Sequence, residues 1–338
     1  MSEEAVMELE PVQKLTRDLT KAAATLSLLE VRYLSDQYGI VQKNRLATEN
    51  QVRALNKSGE PHEVLLWLGK QCQTLENQIK KALDQWTEGQ VLGRWAKKVP
   101  GIGPVLAAGL MAHIDLEHDR TWYDIVSEGP EGPEQEAQIV ASFRSEKLRK
   151  AAGNDYHPLE KDHKIVLKER TEKIRITTAG KTLSFAGWIP GLEWKKGEVR
   201  PWNAQLKVIL WKCGESFVKV SGRDNDIYGK LYLSYKAYIQ KKNERGDYAE
   251  QARKILVDRK HREDTVAKTF YLKGLLPPAH IHARARRYAV RIFVSHYHHV
   301  AYWLQFHEDP PMPYAQAILL HADYFKPPYL DEIKRGLI

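Results

Sequence analysis

A Pro-Gly-Ile-Gly turn with basic residues beside it is the part of the sequence best suited to chemistry. Residues 92–110 read Leu-Gly-Arg-Trp-Ala-Lys-Lys-Val-Pro-Gly-Ile-Gly-Pro-Val-Leu-Ala-Ala-Gly-Leu, which places the turn between two helical segments. Gly101 and Gly103 allow the backbone to approach a phosphate closely, and the second helix directs its free N–H groups and positive dipole end at the same anion. We therefore expect a helix-hairpin-helix that binds the phosphate backbone of DNA rather than its bases. A plain turn between two helices is the alternative.

Two other groups of basic residues extend the predicted DNA-binding surface. On the last long helix, arginines recur at positions i, i+3 and i+7, a stripe suited to a phosphate backbone. A solvated helix face is the alternative interpretation of this stripe. The second group lies between residues 195 and 207. The full set of predicted DNA-binding residues is Lys97, Lys98, Pro100, Gly101, Ile102, Gly103, Lys195, Lys196, Arg200, Lys207, Arg284, Arg287 and Arg291.

The charge balance of the chain favours a polyanionic partner. Its 338 residues include 52 Lys and Arg against 43 Asp and Glu, a net charge of +9. Such charge attracts polyanions because each neutralised phosphate releases condensed counterions. The acidic N-terminus lacks the apolar run of a secretory signal, and no segment has the apolar length of a membrane span. We therefore expect a cytoplasmic protein, nucleoid-associated in a prokaryote, with no membrane partner.

No metal site, cofactor site or catalytic residue is predicted. Histidines gather on and near the last long helix, but their spacing gives no complete ligand set, and structural histidines are the favoured interpretation. Acidic residues gather after the hairpin, and we interpret them as a charged loop. The two cysteines, Cys72 and Cys213, form no CxxC pair and are interpreted as core residues. The histidines are His280, His282, His296, His298 and His299, and the acidic residues are Asp115, Glu117, Asp119 and Asp124.

Two long amphipathic helices are predicted before the hairpin. Apolar residues at spacings of three and four form two seams, and a Gly-Glu-Pro break at 59–61 separates them. Such seams predict an antiparallel helical hairpin or coiled coil. Packing within the chain and pairing with a second copy both remain open, so a homodimer through these helices is one alternative. The seam residues are Leu15, Leu19, Ala22, Leu26, Leu29 and Tyr33, then Leu68, Cys72, Leu75, Ile79, Ala82 and Trp86.

The remaining chain is predicted to be helical, so the fold class is all-α or nearly so. The predicted domains are a helical connector at 1–89, a body containing the hairpin at 90–305, and a Pro-rich tail with one short helix at 306–338. Within the body, about 124–173 is interpreted as a peripheral insertion of two polar helices, the first over Glu134–Ala152, joined by a turn at Gly153-Asn154. Apolar stripes predict further helices after residue 202, after Gly222, and from about Ala279 to Leu304.

Two blocks of the sequence resemble transposases of the insertion-sequence 110/116/902 group. Residues 99–114, VPGIGPVLAAGLMAHI, are similar to the hairpin that opens the C-terminal region of that family. Residues 178–191, TAGKTLSFAGWIPG, are similar to a family segment in which an aromatic residue precedes Ala-Gly-Leu-x-Pro. The helices at 15–86 occupy the place of the family's coiled-coil connector. The resemblance spans about 15–305 and implies DNA binding in transposition or recombination.

The chain departs from this family at both expected catalytic parts. Family members begin with a ribonuclease-H-like domain that carries acidic metal ligands, whereas this sequence begins at the connector. The family's serine nucleophile is expected just before the glycine that corresponds to Gly197, where this chain has Lys196. We therefore expect a DNA-binding protein that is not catalytically autonomous. Structured RNA is a further candidate partner.

The sequence is also compatible with two other functions. A helical scaffold or dimeric adaptor would use its long helices to bind protein and carry the basic charge incidentally. A serine recombinase would use Ser184 or Ser216 as its nucleophile, although neither stands at the family's position and a nucleophile must be positioned and activated.

Overall fold

The computed structural model describes residues 14–57, 59, 62–129, 139–141, 164–189, 194–195, 197, 199–258, 265–311 and 325–338. For residues 120–129, 139–141 and 164–170 it describes only the backbone. The chain divides into two compact units, one built from 1–114 and 177–338 and the other from 115–176. The predicted boundaries near 89 and 305 fall inside the first unit and do not separate compact parts of the chain. The insertion predicted at about 124–173 falls inside the second unit.

Helices build the larger unit, which confirms the nearly all-α fold class. In chain order they are α1 (Arg17–Ala22), α2 (Leu28–Leu55), α3 (Glu63–Glu88), α4 (Val91–Lys98), α5 (Pro104–His113), α6 (Ala179–Phe185), α7 (Ala204–Val220), α8 (Tyr228–Glu244), α9 (Ala249–Asp258), α10 (Val266–Leu272), α11 (Pro278–Phe306) and α12 (Leu330–Lys334). Among the described helices, none combines the length and the apolar composition that a bilayer crossing requires.

A break after α1 interrupts the single helix that the first apolar seam predicts. The Ser27 hydroxyl accepts a hydrogen bond from the Glu30 backbone N–H at 3.3 Å, and the Glu30 carboxylate accepts one from the Ser27 N–H at 2.7 Å. This reciprocal capping box starts α2 as a new helix. The predicted core face is also wrong, because Leu29 and Tyr33 are 75% and 63% exposed while Val31 is buried. Burial on α2 therefore follows a different stripe from the one that the heptad spacing indicates.

The helices α2 and α3 pack against each other as an antiparallel hairpin. The Trp86 indole donates to the carbonyl of Leu26 near one end, and Tyr38 donates to Glu76 at 2.9 Å near the middle. Glu76 is buried and also accepts a hydrogen bond from Arg45 at 2.6 Å. Burial raises the pKa of Glu76, but the hydrogen bonds from Arg45 and Tyr38 outweigh it and lower the pKa below its usual range. The carboxylate thus stays charged and holds the hairpin together.

Aromatic rings around α11 form the core of the helical body. The Phe293 ring of α11 stacks on Trp95 of α4 with centroids 6.3 Å apart, and it meets Phe217 of α7 and Tyr228 of α8 edge-on at 5.2 Å. These four side chains are fully buried. The Trp95 indole donates to the carbonyl of Pro328 at 2.7 Å, which ties the C-terminal tail to α4. The last long helix, predicted over about 279–304, is therefore the centre of the body.

A three-stranded antiparallel sheet forms the smaller unit, and it corrects the prediction of polar helices there. Its strands β1 (Glu117–Gly129), β2 (Ile139–Ala141) and β3 (Lys164–Arg175) lie in the spatial order β1-β3-β2. Residues of opposite charge stand opposite each other in the register, which favours antiparallel pairing. These pairs are Glu117 with Arg175 and Asp119 with Lys173.

The acidic cluster therefore lies mainly on a strand rather than in the predicted charged loop. Glu117, Asp119 and Asp124 belong to β1, and the Asp115 carboxylate accepts a hydrogen bond from the Glu117 backbone N–H at 3.1 Å. Residues Ile139–Ala141, which were predicted to belong to a helix over Glu134–Ala152, form strand β2 instead. The other residues of that helix and the predicted turn at 153–154 lie outside the described residues.

Candidate nucleic-acid interface

Three arginines of the predicted stripe line one cleft of the helical unit, beside Arg286 of the same helix. They are Arg284, Arg287 and Arg291, and residues of α7 and α8 form part of the opposing wall. The i, i+3 and i+7 spacing puts the three side chains on one side of the helix. The cleft has a volume of about 580 Å³. The predicted stripe of arginines thus lines a concave surface rather than a flat solvated face.

The three arginines have no carboxylate partner among the described residues. Arg284 donates to the Gln251 side-chain oxygen at 3.1 Å, and Arg291 donates to the Trp188 carbonyl at 3.3 Å. Burial, followed by the charges of Arg291 and Arg284, lowers the pKa of Arg287 below its usual range. The cleft therefore concentrates positive charge that the described part of the chain leaves unneutralised.

Arg286, next in sequence to Arg287, has a different environment. Its guanidinium pairs with Glu215 of α7 and lies 5.3 Å from the ring centroid of Trp211. The side chain packs so closely on α7 that a Cβ added at Gly214 would lie 2.7 Å from it. Arg286 thus joins α7 to α11 and has its charge balanced within the protein.

Aromatic side chains line the cleft between the cations. Tyr235 of α8 and Tyr288 of α11 stack with ring centroids 3.9 Å apart. Trp188, which follows α6, and Trp211 of α7 complete the aromatic lining, and Lys207 of α7 adds another cation. None of these aromatic residues is among those predicted. A signal was present in the sequence, because the pairs 207/211 and 284/288 each put a cation four residues from an aromatic ring on one helix face.

A second groove adjoins the cleft along α7. It has a volume of about 590 Å³ and shares Lys207 and Trp211 with the cleft. The Arg200 guanidinium lies over the Trp194 ring at 4.8 Å, and the Lys207 ammonium lies over the Trp202 ring at 4.1 Å. These are cation–π distances, so each indole in the groove has a cation beside its face.

The basic residues predicted between 195 and 207 are brought together only in part. Arg200 and Lys207 line the second groove. Lys195 is exposed next to Trp194, whereas Lys196 lies outside the described residues.

The Pro-Gly-Ile-Gly turn joins α4 to α5 and is attached to α7. Gly101 has a φ of +94°, which favours glycine, and its carbonyl accepts a hydrogen bond from the Ser216 hydroxyl. Val99 and Ile102 are buried beneath the turn. Gly103 is exposed and precedes α5, whose first turn has no side-chain cap. The backbone N–H groups at this helix start are therefore open to an external acceptor.

The lysines beside the turn are engaged in ion pairs. The Lys97 ammonium lies 2.7 Å from Asp84 and also pairs with Glu88. Burial lowers the pKa of Lys97, but the hydrogen bonds to these two carboxylates outweigh it and raise the pKa. Lys98 pairs with Glu332 at 3.0 Å. A phosphate at the turn would have to compete with these carboxylates for either lysine.

Histidines of α11 form hydrogen bonds with hydroxyl groups. The Nδ1 of His296 lies 2.8 Å from the Tyr228 hydroxyl, and that of His282 lies 2.9 Å from the Tyr232 hydroxyl. His296 and His298 are buried, and burial lowers the pKa of each to about 4. These contacts support the structural interpretation of the histidines.

No protein-family model, curated protein or solved structure matches this chain. Of the predicted DNA-binding residues, the three arginines of α11 and Lys207 lie in one cleft, and Arg200 lies in the adjoining groove. The Pro-Gly-Ile-Gly turn contacts α7 near the C-terminal end of that helix, at Ser216 and Phe217.

Proposed function

We propose that this protein binds DNA through the cleft that contains Arg284, Arg287 and Arg291. The observation that carries the proposal is the convergence of these three cations without a carboxylate partner among the described residues. A DNA backbone supplies phosphates at the spacing of successive nucleotides, and their binding releases condensed counterions. Arginine suits this role because its planar guanidinium donates two hydrogen bonds to one phosphate.

Arg286 and Arg287 both have a lowered pKa, and only Arg287 lacks a carboxylate partner among the described residues. A lowered pKa in a basic group means that its surroundings disfavour the cation. For Arg287 the causes are burial and the neighbouring charges of Arg291 and Arg284. Because an arginine in a protein does not lose its proton and Arg287 is exposed, its cation is accessible to an external anion.

The open start of α5 offers a second phosphate contact. The ten residues of α5 align their peptide dipoles toward Gly103, and a Cβ added there would have nothing within 4 Å. A phosphate can therefore approach the uncapped N–H groups without a steric obstacle. This contact depends on the backbone, so it does not require Lys97 or Lys98.

A role in transposition or recombination follows from the resemblance of residues 99–114 and 178–191 to transposases. We propose no nucleophile in this chain. Ser216, one of the two candidates, already donates its hydroxyl proton to the carbonyl of Gly101. We propose that this protein positions DNA and that another polypeptide cleaves the strands. Structured RNA carries the same phosphates and is the competing ligand for the cleft.

The proposal is tested by measuring duplex DNA affinity after changing Arg284, Arg287 and Arg291 together to Ala. We expect affinity at about 100 mM salt to fall by at least about tenfold, because each arginine neutralises a phosphate. Fluorescence anisotropy with a labelled duplex gives the affinity, and circular dichroism checks that the fold is retained. A labelled structured RNA measured in parallel shows which polyanion binds more tightly.

The matched control changes Lys57, Lys80 and Lys81 to Ala. These lysines are exposed on the α2–α3 hairpin, and the control removes the same net charge. We expect it to reduce affinity much less than the arginine changes. Equal losses in both variants, or an arginine variant that binds as tightly as the wild type, would contradict binding through the cleft.

A dimeric adaptor is the second candidate, favoured by exposed apolar residues on α2 and α3. Leu29, Tyr33, Val64, Trp67 and Leu68 are all exposed. Analytical ultracentrifugation of the wild type and of the variant Leu29→Glu/Tyr33→Glu tests this function. A wild-type dimer that dissociates in the variant would support the adaptor, and a monomeric wild type would contradict it.

A further inference from the structure

We propose that the groove beside α7 binds single-stranded DNA by stacking an unpaired base on Trp211, while Arg200 and Lys207 contact the neighbouring phosphates. The inference rests on the proposed function, since the same strand would continue into the arginine cleft. It goes further by assigning a strand type and by giving Trp211 a role in recognition.

The exposure of Trp211 is the first observation. Its side chain is 48% exposed on α7, and Val208, one turn earlier on the same helix, is 47% exposed. An indole offers a large apolar face, and leaving that face in water forgoes the stabilisation of burial. Both residues line the groove. The groove thus presents apolar surface that a flat aromatic ligand would cover.

The placement of cations among the indoles is the second observation. Arg200 lies over Trp194 at 4.8 Å and Lys207 lies over Trp202 at 4.1 Å. Arg286 lies 5.3 Å from the Trp211 ring, with its charge balanced by Glu215. Single-stranded DNA presents phosphates and base faces in alternation along the chain. Proteins that bind such strands combine a cationic groove with aromatic rings in the same way.

Continuity with the arginine cleft is the third observation. Lys207 and Trp211 line both the groove and the cleft. One strand can therefore stack a base on Trp211 and extend its phosphates toward Arg287. In duplex DNA the bases stack on one another inside the helix, so duplex DNA presents no free base faces to this indole.

The test compares single-stranded and duplex DNA on the variant Trp211→Ala. The probes are an oligothymidine of about 15 nucleotides and a mixed-sequence duplex of the same length, both measured by fluorescence anisotropy. We expect the variant to lose about tenfold in affinity for the single strand and about twofold to threefold for the duplex, since Trp211 also lines the arginine cleft. Trp211→Phe keeps an aromatic face and should restore most of the single-strand affinity.

Trp67→Ala serves as the matched control, because Trp67 is also an exposed tryptophan but lies on α3. We expect it to change neither affinity. Loss of both affinities to the same extent in Trp211→Ala, or unchanged single-strand binding, would overturn the inference. If duplex binding still depends on the three arginines in that case, the proposed function survives and only the stacking groove is rejected. An oligouridine of the same length that binds about tenfold more tightly than the oligothymidine would overturn the assignment to DNA.

Discussion

Arg286 and Arg287 are neighbours in sequence but have different surroundings. Arg286 pairs with Glu215 and packs on Gly214, so its charge and its aliphatic stem both contribute to the fold. Arg287 has no carboxylate partner among the described residues, and its neighbours Arg284 and Arg291 carry the same charge. One arginine therefore stabilises the protein, and the other is available for a ligand.

Replacing Arg286 is expected to lower the stability of the protein, whereas replacing Arg287 is expected to weaken DNA binding. Arg286→Ala leaves Glu215 without its cation and removes packing on α7, so the free energy of unfolding should fall by about 1–3 kcal/mol. Arg287→Ala should change that free energy by less than about 0.5 kcal/mol and should weaken duplex DNA binding severalfold. Urea unfolding and anisotropy measure the two effects. A large stability loss in Arg287→Ala would show that this residue is structural.

Three buried histidines are expected to make the protein less stable in acid. Burial lowers the pKa of His113, His296 and His298 to about 4 in the folded protein, whereas a histidine in an unfolded chain titrates near about 6.5. Between these values the unfolded chain binds more protons, so the free energy of unfolding falls as the pH is lowered through this window. Each histidine contributes up to about 3 kcal/mol to this loss.

Urea unfolding at about pH 7, about pH 6 and about pH 5 measures the effect of the histidines. The variant His298→Gln lacks one of the three titrating groups and should show a shallower decline in stability with falling pH. A free energy of unfolding that stays constant over this range would contradict burial of the three rings.

At the residue scale, the sequence predicts the basic types and their spacing but not their partners. The arginines of α11 could be identified as one stripe because helical spacing is local. The neutralisation of Lys97 could not be predicted, because Asp84 and Glu88 come from the preceding helix and reach it only through the turn into α4. The availability of a cation depends on tertiary packing.

At the scale of elements, the two glycines of the Pro-Gly-Ile-Gly turn between α4 and α5 have different roles. Gly101 has a positive φ, and a Cβ there would lie 3.3 Å from the Ser216 hydroxyl oxygen. Gly103 has a φ of −94° and open space around it. A change at Gly101 therefore disturbs the fold, whereas a change at Gly103 tests the approach of a ligand.

Gly103→Glu is expected to weaken DNA binding while leaving the fold intact. The added carboxylate would occupy the uncapped start of α5 and repel a phosphate, and we expect a loss of about tenfold in duplex affinity. Gly103→Ala adds only a methyl group in open space and should bind almost as the wild type does. Anisotropy and thermal unfolding measure both variants. Unchanged affinity in Gly103→Glu would show that the start of α5 does not contact DNA. The arginine cleft would then be the whole of the proposed interface.

The elements themselves were predictable where the signal is local and continuous. The apolar periodicity of α3, α7 and α11 covers several turns, and these helices lie where the pattern predicts them. The seam of α2 was misleading because Leu29 and Tyr33 are apolar but exposed. The strands β1 and β3 were not predicted, because their complementary charges are far apart in sequence. Hydrophobic periodicity compares only residues that are close in sequence.

At the scale of the whole molecule, the net charge of +9 comes from cations of two kinds, those paired with carboxylates of the chain and those without such a partner among the described residues. Several cations are neutralised within the chain, as Lys97, Lys98 and Arg286 are. The other three arginines of the cleft have no such partners in the described part of the chain. The unneutralised charge therefore coincides with the concave, aromatic-lined surface, as expected for a polyanion site.

The salt dependence of duplex DNA binding reports how many phosphates the arginines of the cleft contact. The measurement compares the slope of log affinity against log salt concentration for the wild type and for the variant with Arg284, Arg287 and Arg291 changed to Ala. Each phosphate contact contributes about 0.9 to the slope, so the account predicts a wild-type slope that is steeper than the variant's by about 2–3. Equal slopes, or a wild type that does not bind duplex DNA at low salt, would contradict it.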